Sequence, residues 1–180
     1  MKRMARYALV VLGLSAACAR GPRSAASFRI QYEKGRQAYQ QGHPSAAIAA
    51  YREAIRLKPD SAETHNDLGV ALYDVGEGDA AIQEYQRALR LNPDYAEAHN
   101  NLGVAWLSTG QIAAAVGEYR QAVDLRPEFT AAHYNLCLGL ELLGQLADAL
   151  GHCRVAYERE PGRPGVAEAV QRLGRKLTEQ

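Results

Sequence analysis

Several things are missing from these 180 residues, and each absence removes a class of function. Charge of one sign is missing: 21 Lys and Arg stand against 20 Asp and Glu, a net +1, whereas a nucleic-acid binder normally shows a marked basic excess. Long hydrophobic runs are missing too. The uncharged stretch Tyr7 to Ala17 has 11 residues, and a membrane-spanning helix needs about 20. Cysteine is scarce, with three in the chain and no Cys-x-x-Cys spacing, which argues against a redox-catalytic pair. No Ser/His/Asp or Cys/His set, phosphate-cradling glycine loop or carboxylate pair stands at a productive spacing.

What is present is a period. Pro59, Pro93, Pro127 and Pro161 recur every 34 residues, and Gly42, Gly76, Gly110 and Gly144 keep the same step. His65, His99 and His133 follow it, as do Ala47, Ala81, Ala115 and Ala149. Self-similarity at this length marks a stack of helix–turn–helix units. The glycines fall where a first helix must end in a left-handed cap. The prolines fall where a second helix must stop. Between them, apolar residues such as Leu68, Leu72 and Val75, then Ile82, Tyr85 and Leu89, sit at helical spacing. Small residues (Gly69, Gly103, Ala81, Ala88, Ala115, Ala122) recur where two helices must approach closely. A solenoid of this kind spreads its length along one axis and has no central core for an enzyme pocket.

The spacing resembles the tetratricopeptide repeat. Residues 62–95 carry His65, Leu68-Gly69, Leu72, Ala81, Tyr85, Ala88 and Pro93; residues 96–129 carry His99, Leu102-Gly103, Trp106, Ala115, Tyr119, Ala122 and Pro127. Residues 28–61 match at Gly35, Ala47, Tyr51, Ala54 and Pro59 but hold Lys34 at the usual leucine. Residues 130–163 match at Leu136, Leu140, Ala149, Ala156 and Pro161, with Cys137 and Cys153 at the glycine and aromatic positions. The resemblance implies an all-α, right-handed solenoid of four hairpins. Residues 164–180 carry Val166, Val170, Leu173 and Leu177 on one stripe, which suits a helix capping the fourth repeat.

The first residues stand apart. Lys2, Arg3 and Arg6 form a basic start, and the apolar stretch that follows suits an export signal over 1–18. Ser15-Ala16-Ala17-Cys18 resembles a bacterial lipobox, whose cysteine is acylated, although Leu14 stands four residues before Cys18 instead of three. Ordinary cleavage after Ala19 and a plain terminal helix are the alternatives. Removal of the segment takes three positive charges from +1 and leaves −2. Ala19 is not an aspartate, which by resemblance to Gram-negative lipoproteins implies the outer membrane, facing the periplasm; a soluble periplasmic or secreted form is the alternative. Residues 19–27 are small and polar and read as a flexible tether.

Three cysteines fit an oxidising compartment with one consumed by lipid. Cys137 and Cys153 fall at similar height on the two arms of the last hairpin. A disulfide and a pair of small buried hydrophobes both remain open. His65, His99 and His133 occupy a position where the family pattern wants a bulky packing residue, and core packing is the expected role instead of metal ligation. No cofactor is expected.

The resemblance further implies that the concave face, lined by first helices, binds a partner. Its groove positions carry over to Arg29, Tyr32, Arg36 and Tyr39 in the first repeat, and to Glu63, Asn66, Val70 and Tyr73 in the second. The third repeat supplies Glu97, Asn100, Val104 and Leu107; the fourth supplies Tyr134, Leu138, Glu141 and Leu142. The chemistry runs from cationic and aromatic, through amide and valine, to mostly apolar. Asn101 and Asn135 stand where some relatives hold a peptide backbone with a ladder of asparagines, and Asp67 breaks that ladder. Exposed Asn and Glu could equally be no more than solvated, whereas a valine–leucine floor asks for cover. The expected function is a non-enzymatic adaptor that binds a peptide segment or helix of another envelope protein. In plan it is similar to lipoproteins that assist pilus secretin assembly or scaffold cell-wall enzymes. A self-associating subunit and a substrate-recruiting module for a separate transferase are the alternatives. A clamp of the co-chaperone kind is disfavoured, because Glu63, Glu97 and Ala131 stand where a lysine would recur.

Overall fold

A computed structural model of the chain describes residues 22–179. The expected export signal and Cys18 lie outside the described residues. Within them the chain forms nine helices and no strand: α1 (Pro22–Gln40), α2 (Pro44–Leu57), α3 (Ala62–Asp74), α4 (Gly78–Leu91), α5 (Ala96–Ser108), α6 (Ile112–Leu125), α7 (Thr130–Leu142), α8 (Leu146–Arg159) and α9 (Val166–Thr178). The fold is an all-α solenoid. Helices pair as α1–α2, α3–α4, α5–α6 and α7–α8, each pair stacks on the next, and α9 packs against α8. No helix of the described residues is long and apolar enough to cross a membrane.

The turn inside each hairpin is built on glycine. Gly76 has φ +85°, its N–H donates to the Tyr73 carbonyl at 3.0 Å, and the Glu77 N–H reaches back to Leu72 at 2.9 Å. A side chain at that left-handed position would be strained, and the two bonds satisfy carbonyls that the helix end would otherwise orphan. The same pair of bonds recurs around Gly42, Gly110 and Gly144. Between hairpins, the last bonded N–H groups belong to Lys58, Asn92, Arg126 and Glu160. The proline that follows each has no N–H to continue the ladder.

Close approach within a hairpin depends on a glycine opposite a tyrosine. A Cβ on Gly69 would lie 2.6 Å from the Tyr85 ring, and one on Gly103 would lie 2.5 Å from Tyr119. The tyrosine rings thus lie directly on the glycine backbone, 2% and 1% exposed. The small residues at Ala47, Ala81, Ala115 and Ala149 are fully buried where the paired helices meet. In the fourth hairpin, Cys137 and Cys153 are joined by a disulfide, with Cα atoms 5.3 Å apart.

One expectation is corrected. Helix α1 starts at Pro22, so residues 22–27 of the expected tether are helical. Proline is tolerated in a first helical turn, and the alanines after it favour a helix, so nothing there stops it before Phe28. At the other end, α9 buries Val166, Ala169 and Leu173, which closes the apolar face of the last hairpin.

Candidate binding groove

Helices α1, α3, α5 and α7 lie side by side and line one face. A chain of polar contacts links them. The Tyr32 hydroxyl donates to Asp67 at 2.9 Å, and the Asn66 amide donates to the other oxygen of Asp67 at 3.3 Å. Asn101 donates to Asn66 at 3.0 Å, and Asn135 donates to Asn100 at 2.9 Å. Asn100 and Asn101 join the two halves at 3.4 Å. Asp67 therefore does not break the asparagine ladder but forms its first joint. Asn66 and Asn100 are only 5% and 7% exposed, and Tyr32 only 8%. These three positions, expected to face a ligand, instead tie one repeat to the next. Each contact spans 35 residues, one step more than the 34-residue offset between neighbouring first helices.

The electrostatics follow burial. Burial, with the carboxylates of Glu63 and Asp67 beside it, pushes the Tyr32 hydroxyl far above its ordinary range. Burial likewise raises the Asp67 carboxyl, although the bonds from Tyr32 and Asn66 oppose it. Tyr39 donates to Asp74 across the same α1–α3 gap, and burial plus that bond lift it to about 12. Between them lies a cavity of about 130 Å³ lined by Arg36, Tyr39, Gln40, Tyr51, Asp67 and Val70.

The remaining groove positions divide into occupied and open. Glu97 is held by Arg126 at 2.7 Å. Tyr134 lies under the Arg163 guanidinium, 5.5 Å from its ring centroid. Glu141 receives both Arg172, at 2.7 Å, and Lys176, at 2.8 Å, from α9. Those two cations hold its carboxyl down at about 2. The C-terminal segment thus fills much of the fourth repeat's share of the groove. Arg29 and Glu63 are exposed, and Arg36 is exposed while resting over the Tyr32 ring at 5.9 Å and pairing with Glu33 at 3.4 Å on its own helix. Val70, Tyr73, Val104, Leu107, Asn135 and Leu138 are half-buried, and Leu142 is 59% exposed.

The histidines do more than pack. His65 sits 2.6 Å from Glu84 and 3.1 Å from the Pro59 carbonyl; His99 sits 2.7 Å from Glu118 and 2.8 Å from the Pro93 carbonyl. Each ring thus pins the proline turn before its repeat to the second helix of the same repeat. The signal was present in the sequence, since Glu84 and Glu118 each follow their histidine by 19 residues. Among the described residues no group of three or more His, Cys, Asp or Glu side chains is placed to hold a metal.

The tetratricopeptide repeat family profile matches residues 66–127 and 107–164, and a second profile of the same repeat matches 35–76. A crystal structure of MamA is 30% identical, over 74% of this chain and 78% of that one, with a TM-score of 0.70. PilF of Pseudomonas aeruginosa is 24% identical, over 87% of this chain and 72% of that one, with a TM-score of 0.78. The first repeat domain of Spaghetti (RPAP3), bound to an HSP90 peptide, is 21% identical over 66% of this chain and 94% of that one, with a TM-score of 0.65. The last two similarities concern the fold alone. Among curated proteins no match was found.

Proposed function

The chain belongs to the tetratricopeptide repeat family, and on that premise we propose that it is an exported, non-enzymatic adaptor whose concave groove holds a segment of another protein. Such repeats commonly mediate protein–protein interaction, and the Spaghetti domain is one with a peptide bound. One observation carries the proposal here. The groove's amides are spent on bonds between repeats, while Val70, Tyr73, Val104 and Leu107 stay partly open along α3 and α5. Affinity then comes from apolar contact, with Arg29 and Arg36 at one end meeting acidic or polar groups. A helix with an apolar stripe, or an extended segment with alternating apolar residues, fits that surface.

Export and a lipid anchor at Cys18 belong to the same proposal. The basic start, the short apolar stretch and the small residues before Cys18 support them. The Cys137–Cys153 disulfide gives independent support, because such bonds persist in oxidising compartments. With Asn101 and Asn135 each donating to a neighbouring repeat, the transferase-recruiting alternative has less of the asparagine ladder to rest on. Capture of partners from envelope extracts tests the groove: Val104→Asp with Leu107→Asp should lose the partner that the wild type retains. Retention of the same partner by that variant refutes the groove, and capture of nothing but further copies of this chain points to self-association.

A further inference from the structure

The histidine position has a different opposite number in the fourth repeat. Glu84 and Glu118 are followed, one period on, by His152. His133 and His152 meet through their Nδ1 atoms at 3.0 Å, with ring centroids 5.2 Å apart, while His133 Nε2 lies 2.9 Å from the Pro127 carbonyl. Proton counting separates this pair from the other two. A carbonyl oxygen can only accept, so Nε2 of His65, His99 and His133 each carries a hydrogen. Nδ1 of His65 and His99 faces a carboxylate oxygen, which accepts, so a second proton has a place in each of those contacts. Nδ1 of His133 faces a nitrogen, and only one proton fits between them. With Nε2–H turned to the Pro127 carbonyl, one of the two facing Nδ1 atoms must donate and the other accept. His152 could still take a proton on its outer nitrogen, but charging both rings would put two N–H groups head to head.

We propose that the α7–α8 hairpin is an acid-released end of the solenoid, because His133 and His152 cannot both be charged in contact, whereas the His–Glu pairs keep α3–α4 and α5–α6 closed. The surroundings agree. Around His152 stand Asp148 on its own helix and Arg120 and Asp124 on α6; burial and the neighbouring His133 outweigh the two aspartates and hold its pKa below the ordinary value. The charged groups of α9 that reach α7, Arg172 and Lys176, are spent on Glu141. Around His99 stand Glu118 on α6 and Asp94 before α5, and the bond to Glu118 raises its pKa. The signs are therefore opposite. With a depressed folded pKa, the fourth hairpin binds fewer protons than its unfolded chain and loses stability as pH falls below about 6.5. With a raised one, the third hairpin keeps its stability there and loses it as pH rises through the folded value. The disulfide keeps the two arms joined, so the opening is local.

Amide hydrogen exchange of the full, oxidised chain at about pH 7.5 and about pH 5.5, corrected for intrinsic rates, tests this. Protection in α8 should fall, by up to about tenfold per pH unit, while α4 and α6 keep theirs. His152→Glu should abolish the fall. A wild-type proton-resonance titration gives a check independent of that variant's folding, with the His152 midpoint below that of free imidazole. Constant protection of α8, an equal fall in α4 and α6, or a His152 midpoint above free imidazole would each overturn the proposal.

Discussion

Cys153 bonds to Cys137 at the place where, one period earlier, the Tyr119 ring lies on Gly103. The fourth hairpin replaces a ring-on-backbone contact by a covalent one, and no bulky side chain is needed between its arms. It is also the hairpin whose histidine lacks a carboxylate partner, so a unit weakened in one contact is stapled at another.

Reduction should therefore be felt at this hairpin. Opening a loop of about 15 residues costs roughly 3 kcal/mol by chain entropy. Denaturant unfolding with and without reductant should show a loss of that order. Combining Cys137→Gly with Cys153→Tyr should make stability indifferent to reductant.

Glycines should respond in opposite directions. Gly103→Ala drives a Cβ into the Tyr119 ring and should cost about 1–3 kcal/mol as overpacking. Gly117 on α6 is exposed and would meet nothing within 4 Å, so Gly117→Ala should stabilise by about 0.5–1 kcal/mol. Thermal melts of the two variants separate the close-approach role from simple helix propensity.

Asn100 both donates to Asn101 and accepts from Asn135. Asn100→Ala takes the donor from Asn101 Oδ1 and the acceptor from the Asn135 amide, and should cost about 1–3 kcal/mol. Chemical denaturation measures it, and a loss no larger than that of an exposed asparagine would deny the ladder a structural role.

How much of this was legible follows from the range of each interaction. Turns and helix stops depend on a residue and its near neighbours, so Gly76 and Pro93 could be read directly. The ladder could not, because whether Asp67 interrupts or joins it depends on where the Tyr32 hydroxyl arrives from a helix 35 residues away. The family resemblance makes Tyr32, Asn66 and Asn100 groove positions, but a position within a repeat does not tell which side chains the next repeat covers. Glu141 read as open for the same reason, before α9 supplied Arg172 and Lys176.

The Glu141 cluster carries an acid signature of its own. Its carboxyl lies at about 2 in the folded chain, below the ordinary range near 4.5, so its contribution is present above that range and disappears as pH falls toward about 2. Glu141→Gln should flatten the acid limb of a stability–pH curve over that interval and leave the neutral region's slope unchanged.

Anchoring should depend on Cys18. Cys18→Ala removes the acceptor thiol and should move the protein from the membrane to the soluble fraction. An unchanged distribution, with no labelled fatty acid in the wild type, would end the lipoprotein proposal.

Groove capture is tested most directly by a photo-crosslinking side chain placed in living cells at Val104, in the groove, and at Arg90, an exposed residue of α4. A single distinct partner protein should crosslink from Val104 and not from Arg90. Equal crosslinking from both positions, or from Val104 only to further copies of this chain, would contradict it.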